Sequence, residues 1–275
     1  MSRKPERDGG PVPAPEGLTV PVVDAHCHLD LMDGDLAENV ALAKSVGIAA
    51  VLSVGIDTVT SGWQANAAAR HPDVWAAVAI HPNEVVRQAT GDSDLAEIER
   101  LAGLPQVRAV GETGLDYYRI ETADGHRAQE ASFRAHIAIA KSAGKALVIH
   151  DREAHDDVLR VLREEGAPES TVIHAFSGDE TFARACADAG YLMSFAGNVS
   201  FKNAGELRAA AAVVPSELLL VETDAPYLTP MPFRGRPNGP HLVPLTMRVL
   251  AEVRGEDLDT TCAAVAANAR RAFGI

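Results

Sequence analysis

Two histidines spaced two residues apart, His26 and His28, close the apolar run VVDAHCHLD. On a strand that spacing points both imidazoles to one face and turns Cys27 to the other, which makes the pair a ready chelate for a divalent cation. The same spacing also suits two histidines satisfied by solvent or core. Asp24, two residues earlier, completes a D-x-H-x-H pattern and can act from the same face, supporting a ligand or bracing the floor beneath it. Other apolar runs end in polar groups too: His81 in AIHP, Glu112 in VGETGLD, His150 in VIHDR, His174 in VIHAFSG and Asp224 in VETDAP. A carboxylate left at the end of a buried strand costs several kcal/mol or a large pKa rise unless cations share its charge. Glu112 is therefore read as a ligand bridging two cations, the plainer alternative being an arginine partner. His150 and His174 supply the remaining nitrogens. Asp224 is read as metal ligand and general base for the attacking water, or else as the cap of a turn stiffened by Pro226. Glu222 is assigned a structural role.

The elements that must position these groups alternate regularly. Strands are expected over 20–29, 49–56, 74–81, 107–112, 146–150, 171–175, 191–195 and 218–222, and helices over 35–46, 94–104, 127–143, 155–165, 180–189 and 204–213. Gly47, Gly144, Gly166 and Gly190 follow helical runs, as left-handed caps do. Two further helical runs, 245–253 and 258–273, come after the last strand. Eight strand–helix units over about 230 residues predict one TIM-like (β/α)8 barrel of the α/β class with additional C-terminal helix, rather than an open doubly wound sheet. In such a barrel the C-terminal strand ends share one face, so the groups above become neighbours. The barrel is expected over 21–275. Residues 1–20, rich in Pro, Gly and charge, are read as a flexible lead-in without the apolar core of a secretion signal.

Composition narrows the function. With 47% hydrophobic and 23% charged residues and no apolar run of roughly 18, a membrane protein is not expected. Cys27, Cys186 and Cys262 form no C-x-x-C pair, which argues for a reducing, cytoplasmic setting without disulfides. The net charge of −13 argues against gripping nucleic acid with a broad basic face. A phosphate-bearing substrate would be held locally. Arg152, two residues after His150, can reach a phosphate or join a surface ion pair, and His81 can contact substrate or be satisfied structurally. Arg234, Arg236 and Asn238 in FRGRPNGP can clamp a phosphate or brace their loop. Asp116, Tyr117, Tyr118, Ser177 and Gly178 are expected at the rim without an assigned role.

The stretches DAHCHLD (24–30), IHPN (80–83), GETGLDYY (111–118), IHDREA (149–154), HAFSG (174–178), ETDAPYL (222–228) and RGRPNGP (234–240) occur in one order. In these the chain resembles the TatD-type metal-dependent deoxyribonucleases of the amidohydrolase-like barrel group. The resemblance implies two divalent metal ions, with Zn, Mn, Mg, Fe or Ni left open. One would sit among His26, His28, Glu112 and Asp224, the other among Glu112, His150 and His174, with His81 and Arg152 near the scissile phosphate. It implies a hydrolase of the 3'-5' exonuclease type acting on DNA, single-stranded or at its ends, with no membrane partner and an oligomeric state left open, a monomer included. Asn83, where many relatives carry His, and Gly239, in place of an acidic residue, depart from the pattern and bear on substrate more than on metal. The rival readings are a small-molecule amidohydrolase or phosphoesterase on the same barrel, which a carboxylated lysine in place of Glu112 would favour, and a non-catalytic metal-binding scaffold.

Overall fold

The computed structural model describes residue 10 and residues 12–275. Eight strands, β1 (Val22–Cys27), β2 (Ile48–Val54), β3 (Val74–Val78), β4 (Val107–Asp116), β5 (Ala146–Arg152), β6 (Thr171–Ile173), β7 (Leu192–Phe195) and β8 (Leu219–Val221), pair in sequence order. Every pair is parallel. The circle closes from β8 to β1 through an isolated bridge, Cys27 to Ala225, rather than a full ladder. Asp24 completes that closure: its carboxylate accepts from the Thr223 N–H at 2.9 Å and the Thr223 hydroxyl at 2.5 Å. This is the (β/α)8 barrel the strand count predicts.

The helices are α1 (Leu36–Ser45), α2 (Thr58–Arg70), α3 (Pro82–Arg87), α4 (Asp92–Ala102), α5 (Ala123–Ala143), α6 (His155–Glu165), α7 (Glu180–Asp188), α8 (Gly205–Val213), α9 (Val243–Arg254) and α10 (Leu258–Phe273). Their starts follow from short acceptors that take orphan backbone donors, such as Asp35 before α1, Asp57 before α2 and Asp179 before α7. Two helices had no counterpart in the sequence reading, α2 and the short α3. No helix among the described residues is long and apolar enough to cross a membrane. The three cysteines are free and buried.

Of the lead-in, residues 1–9 and 11 lie outside the description. Val12 and Leu18 are buried, and the Leu18 N–H donates to the Val46 carbonyl at 3.0 Å, so residues 12–20 lie against the barrel rather than forming the flexible lead-in expected of them.

Two apolar layers make the core. Outward strand residues such as Val51, Val110, Ile149 and Met193 pack on the helices. Inward ones, including Ala25, Leu52, Val54, Ala77, Ala109, Val148, Val172 and Leu220, fill the barrel together with Ala269, Ala272 and Phe273 of α10. The alternation continues past the apolar part: on β5 Val148 is followed on the same face by His150, and Val172 and Leu220 by His174 and Glu222. β1 and β4 break it. Their register shifts between Asp24 and Cys27 and between Val110 and Thr113. Such irregularities re-aim side chains. Here they bring His26 and Glu112 inside, although Ala25 and Ala109 already point there.

Candidate metal centre

At the C-terminal mouth the six expected ligands converge. His26 Nε2 and His28 Nε2 lie 3.4 Å apart. Glu112 Oε2 stands 3.5 Å from the first and 3.8 Å from the second, and Asp224 Oδ1 stands 3.9 and 3.7 Å from them. Donors held at about 2.1 Å around one tetrahedral ion stand roughly 3.4 Å apart, so these five separations are near those of a ligand shell, and His26, His28 and Asp224 together form a group that could hold an ion. The other carboxylate oxygen faces a second set: Glu112 Oε1 accepts from His150 Nδ1 at 2.7 Å and from His174 Nε2 at 2.8 Å, with His81 Nε2 at 3.4 Å. Those two contacts are hydrogen bonds rather than ligand-shell separations. On this side, imidazole protons do for the carboxylate what a cation would do.

The electrostatics follow. Burial alone would lift the Glu112 carboxyl, but the charges of His174 and His81 and the hydrogen bonds from His150 and His174 hold it well below the usual carboxylate range. Burial opposes charge on His174 as well, yet the Glu112 and Glu222 carboxylates hold its imidazole well above the usual value. His26, fully buried and stacked on His174 at 3.8 Å, is pushed down by that burial and then by its charged neighbour. A neutral His26 keeps a lone pair for a metal.

Outer partners fix the rings. His28 Nδ1 donates to the Val54 carbonyl at 2.9 Å, which leaves Nε2 as the donor atom toward the centre. His174 Nδ1 donates to Glu222 Oε1 at 3.1 Å, which also takes the Ala175 N–H at 2.8 Å. His150 Nε2 donates to Asp116 Oδ2 at 3.2 Å, and the same oxygen accepts from the Asn83 amide at 2.9 Å. Burial would raise the Asp116 carboxyl, but His150, Asn83 and the Arg119 N–H bring it down to about 2. Glu222 and Asp116 thus orient ligands, a role the sequence reading did not give them; their only signal was a place at the same strand ends. Asp24 touches no imidazole and serves closure.

The backbone is shaped for this. Gly114 has φ +139°, and a Cβ there would lie 2.1 Å from the His150 carbonyl oxygen, so only glycine lets β4 approach β5 as the ligands require. Asp224 and Ala175, at the mouth, hold positive φ of 52° and 41°, a strained conformation typical of functional sites.

A cavity of about 520 Å³ opens over the centre, lined by His28, Glu112, Asp224, His81, Arg152 and Tyr227 among others. His81 also caps α3, its Nδ1 accepting from the Asn83 N–H at 3.0 Å. Arg152 stands on the rim. Arg234, Arg236 and Asn238 do not line this cavity. Arg234 lies 4.1 Å over the Phe201 ring, Arg236 reaches the Gly10 carbonyl at 3.0 Å, and Asn238 donates to the Thr223 carbonyl at 2.9 Å. Of the two uses left open for that loop, bracing is the one seen.

A family model described as TatD related DNase matches residues 23–274. The chain is 46% identical over 261 residues to an uncharacterized metal-dependent hydrolase, TatD, of Mycobacterium tuberculosis, covering 92% of this chain and 98% of that protein. It is 35% identical over 260 residues to the uncharacterized metal-dependent hydrolase YcfH of Escherichia coli, covering 92% and 96%. The crystal structure of the TatD homologue YjjV from Escherichia coli superposes with a TM-score of 0.86 at 26% identity, over 92% of this chain and 98% of that one.

Proposed function

The chain belongs to the TatD-related DNase family and is a metal-dependent hydrolase, and from that premise we propose that it hydrolyses phosphodiester bonds of DNA, as a 3'-5' exonuclease on single strands or ends. The observation that carries the reading is the division of Glu112: Oε2 faces His26, His28 and Asp224, while Oε1 faces His150, His174 and His81. One carboxylate between two donor sets suits a pair of divalent ions, and a mixed imidazole and carboxylate shell suits Zn, Mn, Fe or Ni. Bound there, such ions supply Lewis acidity toward phosphoryl oxygens and lower the pKa of water. His28, fixed by the Val54 carbonyl, presents Nε2 as it stands, and His174, fixed by Glu222, presents its own once it gives up the proton that now bonds Glu112. Asp224, at 14% the most exposed side chain of its quartet, accepts the proton of the attacking water. His81 and Arg152 pair with the phosphate. Glu112, standing where a carboxylated lysine would favour an amidohydrolase, leans the site toward the nuclease.

The test incubates metal-reconstituted protein with end-labelled single-stranded DNA, RNA, and ester and amide substrates. Asp224→Asn should keep its metal and lose about 10²- to 10⁴-fold in kcat on DNA, and His26→Ala should lose metal as well. Unchanged turnover by metal-loaded Asp224→Asn would overturn the proton role, and cleavage of an amide but of no nucleic acid would overturn the nuclease.

A further inference from the structure

β4 and β5 do not stop at their ligands. Their pairing runs on to Asp116 opposite Arg152, and the Tyr117 N–H donates to the Arg152 carbonyl at 2.9 Å. The extension raises a ledge along one side of the cavity. On it the Arg152 guanidinium lies 3.9 Å from the centroid of the Tyr118 ring, and that of Arg119 lies 5.7 Å from the same ring. Tyr118 is 49% exposed, and both arginines line the cavity that Glu112 and Asp224 line.

Charge makes this cluster unusual. Acidic side chains outnumber Lys and Arg 38 to 25, and Arg87 on the same rim is claimed by Glu84 at 2.8 Å. Among the described residues neither Arg119 nor Arg152 has a carboxylate within ion-pair distance. An arginine laid on an aromatic face loses less freedom on binding and keeps its N–H edge open for two parallel bonds to a phosphate.

We propose that Arg119, positioned by Tyr118 beside Arg152, binds a second, non-scissile backbone phosphate of an oligonucleotide, next to the hydrolysed one that Arg152 meets. The proposal rests on the nuclease reading for its substrate but not for its test. A diester with a single phosphate, such as bis(4-nitrophenyl) phosphate, leaves this subsite unused. The ledge therefore selects a polymer over a small ester in a protein whose overall charge repels nucleic acid.

Two measurements decide it. Fluorescence anisotropy follows a labelled single-stranded oligonucleotide binding to the chelator-treated full chain at several salt concentrations. Arg119→Gln and Arg152→Gln should each weaken binding about tenfold and lower the salt slope by about 0.7 per lost phosphate contact. Tyr118→Phe should bind like the parent, and Tyr118→Ala more weakly. With metal-loaded protein, Arg119→Gln should lower the ratio of kcat/KM on the oligonucleotide to that on bis(4-nitrophenyl) phosphate by about tenfold. If both substrates are cleaved while slope and ratio stay put, the subsite is wrong and the nuclease stands. If the slope falls but nothing is cleaved, the subsite stands and the nuclease is wrong. No oligonucleotide binding by the parent overturns the subsite.

Discussion

His136, on α5, is fully buried, and its ring ties two elements together: Nε2 accepts from the Ile80 N–H at 3.0 Å and Nδ1 donates to the Ser132 carbonyl at 2.7 Å. Accepting from Ile80 needs the neutral imidazole, and burial, against the Ser132 bond, brings the pKa from 6.5 down to about 4. In the unfolded chain it takes up its proton near pH 6.5, so between that value and 4 the unfolded state binds the extra proton. The contribution of His136 is then full above pH 6.5 and is lost as pH falls toward 4. At about 1.4 kcal/mol per unit the whole loss is about 3 kcal/mol, of which about 2 kcal/mol has gone by pH 5. His136→Gln keeps an acceptor for Ile80 but cannot titrate. At pH 8 the variant should be about 1 kcal/mol less stable, having lost the Ser132 bond. At pH 5 that deficit should vanish or reverse, because only the parent has lost stability through this group. Urea unfolding at the two pH values, read as midpoints at constant m, measures the difference, in which other titrating groups cancel. A deficit equal at both pH values to within about 0.5 kcal/mol refutes the reasoning.

Glu222→Gln keeps an acceptor for His174 and Ala175 but removes the charge, and it should lower zinc affinity about 10- to 100-fold in chelator competition while the circular dichroism spectrum is unchanged. Gly114→Ala puts a Cβ against the His150 carbonyl at positive φ and should cost more than about 2 kcal/mol in urea unfolding. Gly62→Ala, inside α2 with nothing within 4 Å of the added Cβ, should instead stabilise by about 0.5–1 kcal/mol in the same assay.

The sequence carried the barrel because its strands are short apolar runs with polar ends, and because its helices stop at residues such as Gly144 and Gly190, which do hold positive φ. α2 escaped notice for a physical reason. It buries Ser61 and Gln64 and leaves Val59 and Trp63 on its open side, so the residue types contradict the faces they occupy. The buried Gln64 earns its place by polar bonds to Ser53 at 2.5 Å and Asp30 at 2.5 Å, tying α2 to the loop behind His28. α3 is one six-residue stretch capped by a histidine, below the length at which periodicity speaks.

Within the site, a ligand's identity was readable and its orientation was not. His150 and Glu112 announce themselves as polar ends of apolar strands, whereas Glu222 acts on a histidine 48 positions away, and only the closed barrel makes them neighbours. The local irregularities are the deeper gap. Strict alternation from Ala25 would turn His26 and His28 outward together, and strict alternation from Ala109 would do the same to Glu112. A slip in β1 and another in β4, the latter at a glycine-flanked stretch, reverse both. Unsatisfied atoms lie close by: His26 Nδ1, in the slipped part of β1, and Glu222 Oε2, beyond β8, are buried without partners. A chain optimised only to fold would bury neither. Arg108 Nε and Arg254 Nε are buried without partners too, so it is the convergence of four histidine ligands on one carboxylate, with these two atoms beside it, that marks the barrel mouth as shaped for what it binds rather than for its own stability.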